Sequence, residues 1–127
     1  MLDKRPPGLV AVIEDDEMSR YALARVLEAS GFECELFDSA ERFLSSRPAR
    51  PLLCLIVDVQ LAGMSGIELQ WQLGCQGSSV PIIFVTGNRT EKIRERALAA
   101  GCAAFLWKPF SADAILAALT SIARSRA

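Results

Sequence analysis

Short apolar runs alternate along the chain with segments whose apolar residues recur every three or four positions. Leu9 to Ile13, Cys34 to Phe37, Leu52 to Val57, Val80 to Val85 and Ala103 to Trp107 have the length and composition of strands. Three of these are nearly continuous apolar runs, the mark of strands buried on both faces, as in a parallel sheet covered by helices on either side. Between them, Leu23, Val26 and Leu27, then Ala40, Phe43 and Leu44, then Ile93 and Ala97, keep helical spacing. So do Ile115, Leu116, Leu119, Ile122 and Ala123 at the end. Ser39, Thr90 and Ser111 stand where helices should begin, and Gly31 and Gly101 where they should stop. Ile67 to Leu73 is ambiguous, because Ile67, Leu69, Trp71 and Leu73 alternate as in a strand. Its place between two buried strands requires a crossover, and right-handed crossovers are normally helical, so a helix is predicted there.

The pattern is therefore α/β, a doubly wound (βα)5 arrangement with no repeat, linker or low-complexity tract. Of the two common strand orders, 2-1-3-4-5 suits five strands and has its topological switch point between strands 1 and 3, with helices on both faces of the sheet. A ligand should bind there, beyond the carboxyl ends of the strands. Those ends carry Glu14, Asp15 and Asp16 after strand 1, Asp58 after strand 3, Thr86 after strand 4 and Lys108 after strand 5.

Composition narrows the classes. The chain has 127 residues, 51% of them apolar, which makes one globular domain with a core of its own, expected over residues 1–127 and packed over about 9–124. Fourteen Lys and Arg against fifteen Asp and Glu give a net charge of −1, too balanced for direct nucleic-acid binding or a basic membrane-surface helix. Cys34, Cys54, Cys75 and Cys102 form no C-x-x-C pair, and without histidine a mixed Cys/His zinc site is excluded, so buried free thiols are expected. The charged, proline-rich start is followed by an apolar run too short for a signal peptide, and no stretch reaches membrane-spanning length. A reduced, cytoplasmic location is the expectation.

Each residue at the strand ends has an ordinary explanation by itself. Glu14 to Glu17 could cap the first helix, Asp58 could be a turn residue before Gly63, and Thr86-Gly87 and Lys108-Pro109 could be plain strand-to-loop endings. Their joint position argues otherwise. Three carboxylates in one crevice repel by about 3 kcal/mol per pair at ~5 Å and an effective dielectric of ~20, and one lysine does not balance them. All-oxygen ligands favour a hard cation such as Mg²⁺ (or Mn²⁺), which takes one or two carboxylates with water and a phosphate oxygen. With Lys108 and the Thr86 hydroxyl alongside, the site suits phosphoryl transfer, with an aspartate as nucleophile.

The stretches VAVIEDDEMSR, LIVDVQLAGMSGIEL, IIFVTG and GCAAFLWKPF, in this order and at these intervals, are the ones that carry a family likeness. From Leu9 to about Arg124 the sequence resembles the receiver domain of bacterial two-component response regulators. The resemblance implies a flavodoxin-like fold. It also implies Asp58 as phospho-acceptor, Asp15 as direct metal ligand, Glu14 acting on the metal largely through water, and the Gln60 main-chain carbonyl completing the protein ligands. Lys108 would pair with the phosphoryl oxygens, Thr86 would move to hydrogen-bond them, and Phe105 would turn inward as the switch aromatic. The Lys108-Pro109 bond would be cis, and Gln60 and Asn88 would tune the lifetime of the acyl phosphate. By the same likeness the partners are a sensor histidine kinase or histidine phosphotransfer protein, and an effector read through the face of the fourth helix, fifth strand and fifth helix, with homodimerisation on phosphorylation one form of output.

Two departures from the pattern stand out. Glu14 occupies a position more often held by Asp, which lengthens the reach to a metal, and Ala62 stands where a proline is usual, which loosens that loop. Trp107 is read either as core packing or as a patch on the fifth strand that partners recognise, and Trp71 as a contact surface or as cover for a neighbour. The rival functions are a phosphorylation-independent docking or dimerisation module, which would normally lack part of the acidic pocket, and a small Mg²⁺ phosphatase. Gln60 argues against the phosphatase, since haloacid-dehalogenase-type enzymes carry a second Asp there. AERFLSS and VTGNRTEKIRERALAAGCAAFLWKPF resemble receivers joined to helix-turn-helix transcription factors, so the chain is either a stand-alone receiver or a piece of a longer regulator.

Overall fold

A computed structural model describes residues 8–48 and 50–125; the proline-rich start lies outside them. Five strands and five helices alternate without exception: β1 (Leu9–Ile13), α1 (Glu17–Ala29), β2 (Glu33–Phe37), α2 (Ala40–Leu44), β3 (Leu52–Asp58), α3 (Gly66–Cys75), β4 (Ile82–Thr86), α4 (Glu91–Ala99), β5 (Ala104–Trp107) and α5 (Ala112–Ser125). All strand pairs are parallel and the order is β2-β1-β3-β4-β5, as the alternation of patterns predicts.

The core is two layers separated by the sheet, because successive strand side chains point to opposite faces. Val10, Val12, Ile56, Ile83 and Val85 meet Leu23 and Leu27 of α1 and Ile115, Leu119 and Ile122 of α5 on one face. Ala11, Ile13, Leu55, Val57 and Phe84 meet Phe43 of α2, Leu69 and Leu73 of α3 and Ala97 of α4 on the other.

The ambiguous segment is helical. Ser65 caps α3 by accepting from the Glu68 N–H while the Glu68 side chain accepts from the Ser65 N–H, a reciprocal pair that fixes the helix start. Its buried residues, Gly66, Leu69 and Leu73, have the helical three-and-four spacing, whereas Trp71 projects outward with 71% of its surface exposed. The apparent alternation came from counting an exposed tryptophan among core positions. Ser39 and Ser111 cap α2 and α5 through their hydroxyls, but Thr90, although it is the N-cap of α4, makes no such bond. Gly31 and Gly101 have φ of 90° and 89°, the left-handed turn that ends a helix and that a side chain resists.

Strand limits shift by a residue or two from the sequence reading. β4 starts at Ile82 because Pro81 has no N–H to give the ladder, and both Asp58 and Thr86 are the last paired residues of their strands rather than the first beyond them. Among the described residues no helix is long and apolar enough to cross a membrane. The cysteines in them form no disulfide: Cys54 is buried and Cys34 and Cys102 half-buried, while Cys75, at the outward-turning end of α3, is exposed rather than buried.

Candidate functional site

The strand order brings the carboxyl ends of β1, β3, β4 and β5 side by side, so residues far apart in sequence share one rim. Asp58 closes β3, Thr86 closes β4, Glu14 follows β1 and Lys108 follows β5. Glu14, Asp58 and Thr86 are the buried polar residues of the described chain, at 4%, 7% and 0% exposure, and all three stand at this rim. Buried polar groups need partners.

Lys108 supplies the main one. Its ammonium donates to Asp58 Oδ2 at 2.7 Å and also to Glu14 Oε1, so one cation is shared between two carboxylates. Asp58 Oδ1 accepts the Gln60 N–H at 2.8 Å, and Glu14 Oε2 accepts the Asp16 N–H at 3.1 Å. Burial pushes the Glu14 carboxyl above its usual range; Lys108 and the Asp16 N–H pull it back without fully compensating, and the Asp58 charge adds to the rise. Burial pulls the other way on Lys108, but its hydrogen bonds to Asp58 and Glu14 outweigh that and hold the ammonium above its ordinary value. The acid is raised despite its ion pair because it sits deeper than the lysine and faces a second carboxylate.

The acidic run after β1 divides its labour. Asp16 is the N-cap of α1, accepting the Ser19 N–H at 2.8 Å, and Glu17 complements the first turn, so the capping explanation holds for these two. Glu14 and Asp15 face the rim. Asp15, which is exposed, accepts the Ala62 N–H at 3.2 Å and so ties the loop after β1 to the loop after β3. Arg20 of α1 donates to the Glu14 carbonyl at 2.9 Å and holds that main chain in place.

The convergence expected of three carboxylates is thus partial. Lys108 stands between Glu14 and Asp58, and Asp15 turns to the neighbouring loop; among the described residues no three acidic or cysteine side chains cluster tightly enough to cage a metal. The donor set still suits Mg²⁺, whose reluctance to shed water means that it uses one or two carboxylates rather than a protein cage. Three carboxylates against one ammonium leave a formal excess of negative charge, every donor is oxygen, and Asp15 lies open to water. Asp15 and Asp58, with the Gln60 carbonyl, are the groups that could hold the ion, and Glu14 could reach it through water.

Thr86 is wholly buried, and its hydroxyl accepts the Asn88 N–H at 3.2 Å. Its carbonyl accepts the Lys108 N–H at 2.8 Å, and the Lys108-Pro109 bond that follows is cis. Phe105 is half-buried against the layer of α3 and α4, and its ring meets Trp107 edge-on at 4.8 Å and 83°. Trp107 is also half-buried. It joins neither apolar layer, and the Arg89 guanidinium lies over its ring at 5.9 Å. Arg89 also donates to the Lys108 carbonyl at 3.1 Å. The sequence reading missed Arg89 and Arg20, because one arginine on a loop or helix start carries no periodic signal. It also passed over Gly66, where an added Cβ would lie 2.7 Å from the Asp58 carbonyl and 3.0 Å from Val59 Cα, so only glycine lets α3 start this close to the acidic strand end.

Comparison with known proteins gives one answer. The model of the response regulator receiver domain family matches residues 10–120. The transcriptional regulatory protein FixJ of Bradyrhizobium diazoefficiens is 36% identical over 117 residues, covering 92% of this chain and 57% of that protein. The response regulator protein TodT of Pseudomonas putida is 33% identical, covering 88% and 49%. The crystal structure of FixJ-N superposes with a TM-score of 0.85 at 31% identity, covering 93% and 94%. The chain spans about half the length of the curated relatives it matches.

Proposed function

Because the chain belongs to the response regulator receiver domain family, we propose that Asp58 accepts a phosphoryl group from a phosphohistidine on another protein or from a small acyl phosphate. The observation that carries this reading is the shared ammonium of Lys108, which fixes a buried carboxylate at the end of β3. The chain has no histidine, so it cannot supply a phosphohistidine itself.

Asp58 Oδ attacks phosphorus in line, the P–N or P–O bond to the donor breaks, and its electron pair leaves with the imidazole or carboxylate. Mg²⁺, when bound, neutralises charge on the phosphoryl oxygens. Lys108 then shifts part of its hydrogen bonding from the Asp58 carboxylate to the new phosphoryl oxygens while keeping Glu14. Thr86 exchanges the Asn88 N–H for a phosphoryl oxygen. This frees space beside β4 into which Phe105 turns, reshaping the face of α4, β5 and α5 that an effector, a partner or a second copy would read. Gln60 and Asn88, two residues beyond Asp58 and Thr86, tune the lifetime of the acyl phosphate. The chain acts as a single receiver unit that catalyses only its own phosphorylation and dephosphorylation and works in the cytoplasm.

The test is transfer of label from acetyl phosphate or phosphoramidate with Mg²⁺ present. The unsubstituted chain should take label and Asp58→Asn should take none; label retained in Asp58→Asn would move the acceptor elsewhere.

A further inference from the structure

We infer that Arg89 is a positioning residue for Lys108 and ties the state of the acidic pocket to the cover over Trp107; the inference rests on the phospho-acceptor reading. The main chain of Lys108 is held on one side by the last residue of β4 and on the other by the loop that follows it. Its N–H donates to the Thr86 carbonyl at 2.8 Å, and its carbonyl accepts Arg89 Nη2 at 3.1 Å. Residue 109 is proline and has no N–H, so the anchoring of this stretch falls on the two bonds at Lys108. Lys108 in turn places its ammonium on Asp58 and Glu14.

The same guanidinium does a second task. It lies 5.9 Å from the centre of the Trp107 ring, and that ring meets Phe105 edge-on at 4.8 Å. A planar guanidinium can stack on an indole and donate a directed hydrogen bond from its edge at once, which an ammonium on a flexible stem cannot. Arg89, Trp107 and Phe105 therefore form one stack along β5, pinned to the carbonyl of the residue whose side chain holds the acceptor. Arg89 lies three residues beyond Thr86, on the loop that leaves the end of β4. When Thr86 turns toward a phosphoryl group, the loop carries Arg89 with it, so the guanidinium leaves Trp107 as Phe105 is released to move.

The experiment uses the Trp71→Phe chain, in which Trp107 is the remaining tryptophan. Adding Arg89→Ala should leave the melting temperature nearly unchanged, because Arg89 is exposed, yet make Trp107 more readily quenched by acrylamide before any phosphoryl donor is added. Its rate of labelling by phosphoramidate should fall about three- to tenfold, the net worth of one typical hydrogen bond. Arg89→Lys should restore neither readout. In the Arg89 chain, Mg²⁺ with beryllofluoride should raise quenching toward the Arg89→Ala level. Unchanged quenching in Arg89→Ala would overturn the stack, and an unchanged rate, or full rescue by Arg89→Lys, would overturn the positioning role. Asp58→Asn retains the quenching response to Arg89→Ala if the inference is right, so label that persists in Asp58→Asn overturns the acceptor assignment while leaving the stack to its own readout.

Discussion

Lys108 neutralises two acids with one ammonium, and the pH dependence of that arrangement has a definite sign. Its own value is raised on folding, so its contribution to stability is complete below its unfolded value near 10.5 and is lost as pH climbs through the higher folded value. Glu14 is also raised, from 4.5; a carboxyl that holds its proton more tightly when folded favours the native state at low pH, and that contribution declines as pH rises past 4.5 to the folded value. Lys108→Met would take away the main force holding Glu14 down, pushing it further up. The variant should be about 2–3 kcal/mol less stable at pH 7, because two buried carboxylates lose their cation, and the deficit should shrink toward pH 5 as Glu14 takes up a proton. Urea unfolding at the two pH values measures this; an equal deficit at both would mean that the loss does not come from the Glu14 charge. That Lys108 and the acids would meet was legible from strand order alone. Which acids share the ammonium was not, since Glu14 and Asp15 are sequence neighbours whose opposite directions are set by the loop after β1, the Arg20 bond to its carbonyl and the Ala62 N–H.

At the scale of elements, α3 and α4 differ in how the protein holds them. α3 begins at Gly66, packed onto the Asp58 carbonyl, and a methyl group there would have to push helix and strand apart. Gly66→Ala should cost about 1–3 kcal/mol, the usual range for overpacking, and slow the labelling of Asp58 by displacing its main chain; both are read from denaturant midpoints and transfer rates. α4 buries Ala97 alone and lacks a side-chain cap at Thr90, while α5 buries Ile115, Leu119 and Ile122. Amide hydrogens of α4 should therefore exchange faster than those of α5 by native-state hydrogen exchange, and equal protection would contradict the packing argument. The strong periodicity of α5 and the apolar strand runs made these elements plain in the sequence. α3 needed the topology to identify it, because Trp71 imitates a core position, and the missing cap of α4 could not be foreseen from a residue type that caps well elsewhere.

For the molecule as a whole, a cation that binds only the folded chain stabilises it by mass action. At about ten times its dissociation constant, Mg²⁺ should add ~1.4 kcal/mol and raise the melting temperature by about 3–6 °C, and Asp15→Asn should abolish most of that rise. Equal shifts in both chains would take Asp15 out of the metal's reach. The alternation of elements left two common strand orders, and the count of five strands selected the observed one; the exact charge distribution on the rim was not legible, because it depends on rotamers at loop ends rather than on periodicity. Glu14, Asp58, Thr86 and Lys108 each hang from the last position of a strand or from the residue after it, and the ladders beneath are complete without those side chains. Chemistry and scaffold are therefore separable: a chain silenced at Asp58 would keep the native surface, and would compete with the unsubstituted chain for whatever protein docks there while taking no phosphoryl group itself.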